Sequence, residues 1–465
     1  MGIAEGFDPF KIIRRALKNG GDFADIYLED TTSTSISCEE NKIEKVIAGR
    51  DAGAGIRVIS QFRTFYAYTN DLTEAGLFQI ADVTAAAVKE GGEKEDIGFA
   101  RKNIAPGFDI KKSPFTASLS KKIELVNTGN SIARSIDKRI IQARVVYGDG
   151  LKKVAVINSI GEWIEEERTA LLFLCQVVAQ DGEVIQTGYE PVGGAIGLEI
   201  FDETPPSVVA EKAARRAIMM LSARKAPAGK MDVVLSSEAG GTMIHEAVGH
   251  GLEADLAQER LSVYSGKIGE RVASPIVTVI DDGTIPYKRG SSFFDGEGTP
   301  TRKTVLVEEG ILKSYMYDRL TAMKDGVKST GNGRRESYHH RPIPRMTNTM
   351  IAPGSSSPDE IVGSVEKGLF VRKMGGGQVN TVNGDFVFEV SEGYLIEKGK
   401  IGEPVRGATL TGNGPSVLMT IDMVGSDLGF GIGTCGNDGQ GVPVADAQPT
   451  LRIPGIIVGG EVGKG

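Results

Sequence analysis

Only four histidines occur in the 465 residues of this chain, and two of them, His245 and His250, stand on either side of Glu246 in the stretch 242–255. The pattern is H-E-x-x-x-H, one residue longer than the H-E-x-x-H in which two imidazoles hold zinc and the glutamate acts as a base. At about 100° per residue, a five-residue step sets the two side chains roughly 140° apart on a regular helix, whereas a four-residue step keeps them on one face. Both imidazoles reach a single metal if the helix ends or bulges before His250. Gly249 and Gly251 flank that residue and supply the backbone freedom. The same residues also suit two ordinary packed or surface histidines, so the motif alone leaves metal binding open.

A catalytic zinc site takes three protein ligands and keeps one position open. Cys435 is the outstanding third candidate. It sits in Gly431-Ile432-Gly433-Thr434-Cys435-Gly436-Asn437-Asp438-Gly439-Gln440-Gly441, a setting poor for core packing and good for a thiolate on a loop that backbone can crowd around. Cys38 and Cys175 lie in apolar or alternating strand patterns and read as structural. Glu253 and Asp255 compete for the third position, since zinc also accepts carboxylates. The glycine segment also fits G-x-G-x-x-G, but the residues from Pro443 onward neither open a helix nor complete a βαβ unit, which excludes the dinucleotide reading.

These residues must be carried by a large soluble scaffold. Hydrophobic content of 40% with 25% charged residues is that of an ordinary globular protein of two or three domains. A net charge of −8 argues against a general nucleic-acid or anionic-membrane binder. Three widely spaced cysteines form no disulfide framework, no apolar signal core opens the chain and no apolar run is long enough to span a bilayer, so a cytoplasmic location is expected.

The periodicity predicts an α+β protein. A domain over 1–225 combines antiparallel strand meanders with long helices, and its two sub-modules, 1–113 and 114–225, each carry strands and a long helix. Strands are expected at 24–30, 33–38, 43–47, 55–59 and 64–68, then at 140–146, 152–158, 163–170, 172–180 and 183–189. Gly148-Asp149-Gly150 and Asp181-Gly182 have hairpin chemistry. Helices are expected at 8–17, 71–89, 118–136 and 205–224, and 90–112 reads as a surface connection. Lys225-Ala226-Pro227-Ala228-Gly229 ends the domain. The second domain, 226–465, is β-rich and carries the metal site. Its expected strands are 232–235, 276–281, 303–308, 370–373, 385–394, 417–424 and 451–458, with helical patches at 318–323 and 358–365.

At this point the chain resembles the TldD/PmbA metallopeptidases, in the TldD branch. The resemblance rests on Ile244-His245-Glu246-Ala247-Val248-Gly249-His250-Gly251-Leu252-Glu253-Ala254-Asp255. It rests equally on Gly331 to Pro342 with Arg345-Met346-Thr347-Asn348-Thr349, and on Cys435-Gly436 leading to Gly439-Gln440-Gly441-Val442-Pro443. It implies a zinc peptidase with His245, His250 and Cys435 as ligands of one Zn2+ and Glu246 as general base. It further implies substrates that are unstructured peptides or small unfolded proteins, and assembly as a homodimer or as a hetero-oligomer with a PmbA-type partner subunit. His339 stands where arginine is common in relatives, so no role passes to it.

Beside that implication, the polar stretch from Arg334 to Asn348, stiffened by Pro342 and Pro344, reads as a substrate-facing loop. Arg334, Arg335, Tyr338, His340, Arg341 and Arg345 are its candidate substrate-binding residues, the arginines being suited to carbonyls or a terminal carboxylate. Surface or intersubunit salt bridges would use the same arginines. The glycine-flanked segment from Met374 to Val382 would offer a strand edge to an extended peptide. Two other readings stay open: a cysteine hydrolase with Cys435 as nucleophile, and a non-catalytic subunit with structural zinc.

Overall fold

The computed structural model describes residues 6–88, 101–105 and 107–461. Its N-terminal part is built on one sheet of seven strands: β1 (Phe23–Glu39), β2 (Lys42–Ser60), β3 (Arg63–Thr69), β4 (Arg101–Ala105), β5 (Ile140–Asn158), β6 (Glu162–Asp181) and β7 (Val184–Gly194). The order is β3-β2-β1-β5-β6-β4, with β7 also paired to β6. The two strand meanders therefore share a single sheet, joined where β1 runs antiparallel to β5.

Several short strands expected from the sequence are halves of longer ones. Gly148-Asp149-Gly150, expected as a hairpin, runs straight through β5 with Gly148 opposite Ser35 and Gly150 opposite Ser33. Asp149 Oδ2 is held inside the strand by Lys122 Nζ at 2.5 Å and the Tyr147 hydroxyl at 2.5 Å, so its charge does not force a turn. The Asp181-Gly182 turn forms as expected, and a tight turn at Gln61-Phe62 joins β2 to β3, with positive φ at Gln61, Phe62 and Gly182. Of the expected connection 90–112, residues 101–105 form β4, parallel to β6, while 89–100 and 106 lie outside the described residues.

Four long helices cover this sheet. Helix α1 (Pro9–Ala16) is capped by Asp8, α2 (Glu74–Ala87) by Thr73 and α3 (Leu119–Ser135) by Ser118, while α4 (Pro206–Ser222) opens on proline. The first two pack Ile12 and Leu77 against Ile26 and Ile56, and the last two pack Val126, Val209 and Ala213 against Phe173 and Val177.

Among the described residues the C-terminal part has two large sheets and a two-stranded ladder that pairs Gly333–Arg334 with Ile343–Pro344. One closes on itself: β8 (Gly229–Leu235) pairs with β13 (Lys367–Val379) and β19 (Leu451–Gly459), and β14 (Asp385–Glu397) pairs with both β13 and β16 (Thr409–Asn413), which returns to β19. Short strand β15 (Lys400–Arg406) extends it from β14. The other sheet runs β11 (Ile311–Leu312), β10 (Lys303–Glu308), β9 (Val279–Asp282), β12 (Asn348–Ile351), β18 (Gln440–Gln448), β17 (Gly429–Asn437). The expected strand at 417–424 is instead the helix Gly414–Thr420 followed by the two residues Met423–Val424. Asn413 caps that helix and Pro415 lies in its first turn, a start signal that overrides the β-branched residues after it.

One core fills the closed ring and reaches the second sheet. Val233, Leu369, Phe388, Leu410 and Ile453 of the ring belong to the same cluster as Met243, Ile244 and Val248 of the histidine stretch and as Cys435. The histidines and the cysteine thus approach each other from opposite sides of a packed seam. The N-terminal sheet is held against this part by Arg57, which pairs with both Asp25 and Glu297, and by Tyr338, whose ring packs with Tyr27, Val154 and Val156.

Candidate metal centre

The irregular spacing of the two histidines is accommodated by a change of helix type. Thr242–Ile244 form one α-helical turn, His245–Gly249 a π turn and His250–Leu252 a 3-10 turn. The amide of His250 donates to the carbonyl of His245, the i→i+5 bond of a π turn. That wider turn brings residues five apart onto one face, and such turns are frequent at functional sites. Gly249 therefore does not end the helix. It stays helical, and its missing side chain makes room for Met346, whose Sδ would lie 2.1 Å from a Cβ at that position.

The π turn, the β17–β18 hairpin and parallel pairing of β12 with β18 converge on three donor atoms. His245 Nε2 is 3.2 Å and His250 Nε2 is 3.4 Å from Cys435 Sγ, and the ligand atoms of all three lie within 4.8 Å of one another. The two imidazole planes stand at 89°, with centroids 5.1 Å apart. Among the described residues this is the one group of three or more histidine, cysteine or acidic side chains placed to hold a metal.

Behind each imidazole stands a carboxylate. Glu253 Oε2 is 3.0 Å from Nδ1 of His250, and Asp446 Oδ1 is 3.4 Å from Nδ1 of His245. Such partners fix the ring that binds a metal and raise its basicity. Burial pulls the His245 pKa down, but Asp446 and the Cys435 thiolate outweigh it and raise it to about 10; His250 is likewise raised by Glu253 and Cys435. Burial pushes the Cys435 thiol up, yet the two histidines lower it to about 6. The three shifts are mutual: the thiolate and the two carboxylates favour protonated imidazoles, and the imidazoles favour the thiolate. Two imidazoles and a thiolate suit zinc, so the residues present fit that ion.

Glu253, weighed from sequence as a third ligand, backs His250 instead, and its Oε2 also accepts from Asn437 Nδ2 at 3.1 Å. Asp255 lies outside the group of three donors. Glu246 follows His245 on the π turn, half-buried, and no hydrogen bond or ion pair to the described residues engages its carboxylate.

The stretch 334–345 divides between scaffold and surface. Arg345 is fully buried, donating to Cys435 O at 2.6 Å and Gln440 O at 3.2 Å, with Nε 3.6 Å from Glu253 Oε1. It braces the cysteine hairpin. Arg335 is buried over the Tyr27 ring, and Tyr338 is buried with its hydroxyl on Asp51 Oδ1 at 3.0 Å. Arg334 donates to Met346 O and Pro443 O. His340 is half-buried beside Ser337 Oγ at 3.2 Å, and exposed Arg341 meets Asp438 at the hairpin tip, at 3.2 Å. Only His340 and Arg341 of these six are engaged solely with other polar groups near the surface.

Asp446 and the bracing role of Arg345 were not read from the sequence. Asp446 reaches His245 through the pairing of distant strands, which leaves no local trace. Glu253 did leave one, since it lies three residues after His250, within reach on a helical turn.

Family profiles of the PmbA/TldA metallopeptidases match the chain in three pieces: domain 1 at 24–89, the central domain at 112–221 and the C-terminal domain at 228–460. The chain belongs to the PmbA/TldD metallopeptidase family. A Haemophilus influenzae protein named a metalloprotease TldD homolog is 40% identical over 448 residues, 94% of this chain and 93% of its own length. A Methanothermobacter thermautotrophicus metalloprotease is 36% identical over 444 residues, 94% of this chain and 96% of its own. The crystal structure of TldE from Thermococcus kodakarensis shares the fold, with a TM-score of 0.76 at 20% identity, covering 98% of this chain and 99% of that one. Among the described residues no helix is long and apolar enough to cross a membrane.

Proposed function

We propose that the chain is a zinc-dependent peptidase, with His245, His250 and Cys435 holding one zinc ion and Glu246 as general base. The observation that carries this reading is the convergence of the three donor atoms within 4.8 Å, next to a carboxylate that none of the described residues engages. When bound, zinc supplies Lewis acidity toward the scissile carbonyl and a lowered pKa for water. The rest is done by the chain. Glu246 takes a proton from the attacking water and delivers it to the leaving amine. Asp446 and Glu253 keep the imidazoles oriented through their Nδ1 atoms, and Arg345 holds the Cys435 carbonyl so that the thiolate stays aimed. Two neutral imidazoles and a thiolate leave a divalent ion with a net charge of +1, so the site depends on its buried surroundings for electrophilic strength.

The proposed substrates are unstructured peptides or small unfolded proteins. The outer part of β13 supports this: residues Met374–Val379 pair with β14 on one edge, while β8 pairs only with residues 368–371 on the other. That leaves an edge on which an extended peptide can add backbone hydrogen bonds without side-chain demands. Assembly as a homodimer or with a PmbA-type partner subunit is proposed with the family membership. The three free cysteines accord with the cytoplasm.

A second reading is favoured by one distance. Cys435 Sγ at 3.2 Å from His245 Nε2 is also the arrangement of a cysteine nucleophile with its base. It leaves Glu246 and the second histidine without work. Metal content measured beside cleavage of an unstructured peptide, with and without chelator, decides between them. Loss of activity on chelation and its return with zinc is expected. Activity that survives chelation and dies on alkylation of Cys435 would establish the cysteine hydrolase.

A further inference from the structure

A cavity of about 430 Å³ lies between the N-terminal sheet and the C-terminal part. Pro443 lines it, and Pro443 is the register partner of Thr434, the residue before Cys435. Side chains alternate along a strand, so this cavity lies on the face of the hairpin opposite the thiolate. Phe108, Ile110, Phe115 and Leu151 give it an apolar wall, and Arg289 and Arg334 stand at the hairpin end.

Those two arginines are paired differently from Arg168 and Arg335, which also line the cavity and each meet a carboxylate. Arg289 donates to Gly433 O at 3.1 Å and Thr434 Oγ1 at 3.4 Å, and Arg334 to Met346 O at 2.5 Å and Pro443 O at 2.8 Å. Among the described residues, neither forms an ion pair with a carboxylate. The carboxylates that line the cavity are already engaged. Glu166 is held by Arg168 and the Phe293 amide, and Glu167 by Lys153. Asp295 accepts from the amides of Glu297, Thr299 and Gly333, and Glu336 from that of Gly441. Burial lowers the pKa of both guanidiniums, and for Arg334 the neighbouring Arg345 charge adds to it against an opposing pull from Asp281. Desolvated, unpaired charges are costly, and a guanidinium fork matches a carboxylate geometrically.

We propose that this cavity is a receptor for a carboxylate bearing an apolar group, the C-terminal residue of a peptide, with Arg289 and Arg334 binding the carboxylate. Naming a peptide as the source rests on the peptidase reading; the carboxylate chemistry does not. The two arginines grip opposite strands of the hairpin one register step from Cys435, so an occupied receptor stiffens the arm that carries the thiolate.

Calorimetric titration of the full chain with N-acetyl-phenylalanine and with its amide tests this directly. The acid should bind at least about tenfold more tightly than the amide, the scale of one charge-assisted interaction. Arg289→Gln and Arg334→Gln should each erase most of that preference with zinc content unchanged. Where a glutamine variant loses zinc, the lysine variant, which keeps the charge, is read instead and should retain the preference for the acid. Acid and amide binding alike, neither binding, or glutamine variants with wild-type preference would overturn the receptor. Benzoate binding more tightly than N-acetyl-alanyl-phenylalanine would overturn the peptide terminus as the source. Cleavage of a C-terminally amidated peptide, assayed in parallel, separates the two proposals. Cleavage without acid-over-amide preference removes the receptor and leaves the peptidase, and preference without any cleavage does the reverse.

Discussion

Glu253 Oε2 lies 3.0 Å from Nδ1 of His250, on a carboxylate that is fully buried. Its other oxygen faces Arg345 Nε at 3.6 Å, and the same Oε2 receives Asn437 Nδ2 from the hairpin that carries Cys435. One side chain therefore ties together two of the three residues proposed to hold the metal. Glu253→Gln should weaken zinc affinity by about 10- to 100-fold, the usual effect of losing such a partner. Competition against a chromophoric chelator measures it. Unchanged affinity would mean that Glu253 serves packing alone.

Glu246 is next to His245, a proposed zinc ligand, and its carboxylate is engaged by none of the described residues. Glu246→Gln keeps size and shape while removing the ability to take a proton. Zinc content should stay at one per chain, and turnover of an unstructured peptide should fall by about 10²- to 10⁴-fold. A variant that retains zinc and full turnover would remove Glu246 from the mechanism.

The candidate metal-binding residues were more legible in the sequence than the pairings that bring them together. His245, Glu246 and His250 stand within six residues, and a cysteine among glycines stood out without any structure. What the sequence hid are relations set by long-range pairing. Asp446 reaches His245 only because β18 pairs with β12 and β17, and the strands on either side of Gly148-Asp149-Gly150 proved to be one because Lys122, from a helix, neutralises Asp149. Turn chemistry is a local preference, and a buried partner can override it. Arg345 shows the same limit: a polar, proline-stiffened stretch suggested a loop facing substrate, but a residue's burial depends on which strand folds over it.

The Asp255 carboxyl is pushed from an ordinary 3.8 up to about 7, first by burial and then by the Glu253 charge. Between those values the folded chain binds more protons than the unfolded one. Stability contributed by this group is therefore present at low pH and is lost as pH rises from about 4 to about 7. Asp255→Asn keeps the oxygen that accepts from the Leu256 amide and abolishes the titration. At about 1.4 kcal/mol per pKa unit, halved for partial exposure, the variant should be more stable than the parent by roughly 2 kcal/mol at pH 8. The difference should vanish near pH 4. Urea unfolding across that range at fixed zinc checks the sign; a difference independent of pH would assign the effect to packing.

Gly249 tests the π turn itself. A Cβ there would meet Met346 Sδ at 2.1 Å, and Met346 is fully buried and unable to swing into solvent. Gly249→Ala should therefore destabilise the chain by about 1–3 kcal/mol, the cost of overpacking a filled core, and should loosen zinc because His250 is the next residue. The same change in a Met346→Ala background should cost nothing, or gain up to about 1 kcal/mol, because alanine is favoured over glycine once the clash is gone. The double-mutant cycle isolates the contact from the backbone preference. If Gly249→Ala is equally costly in both backgrounds, the glycine is required by the backbone of the π turn and not by the sulfur packed against it.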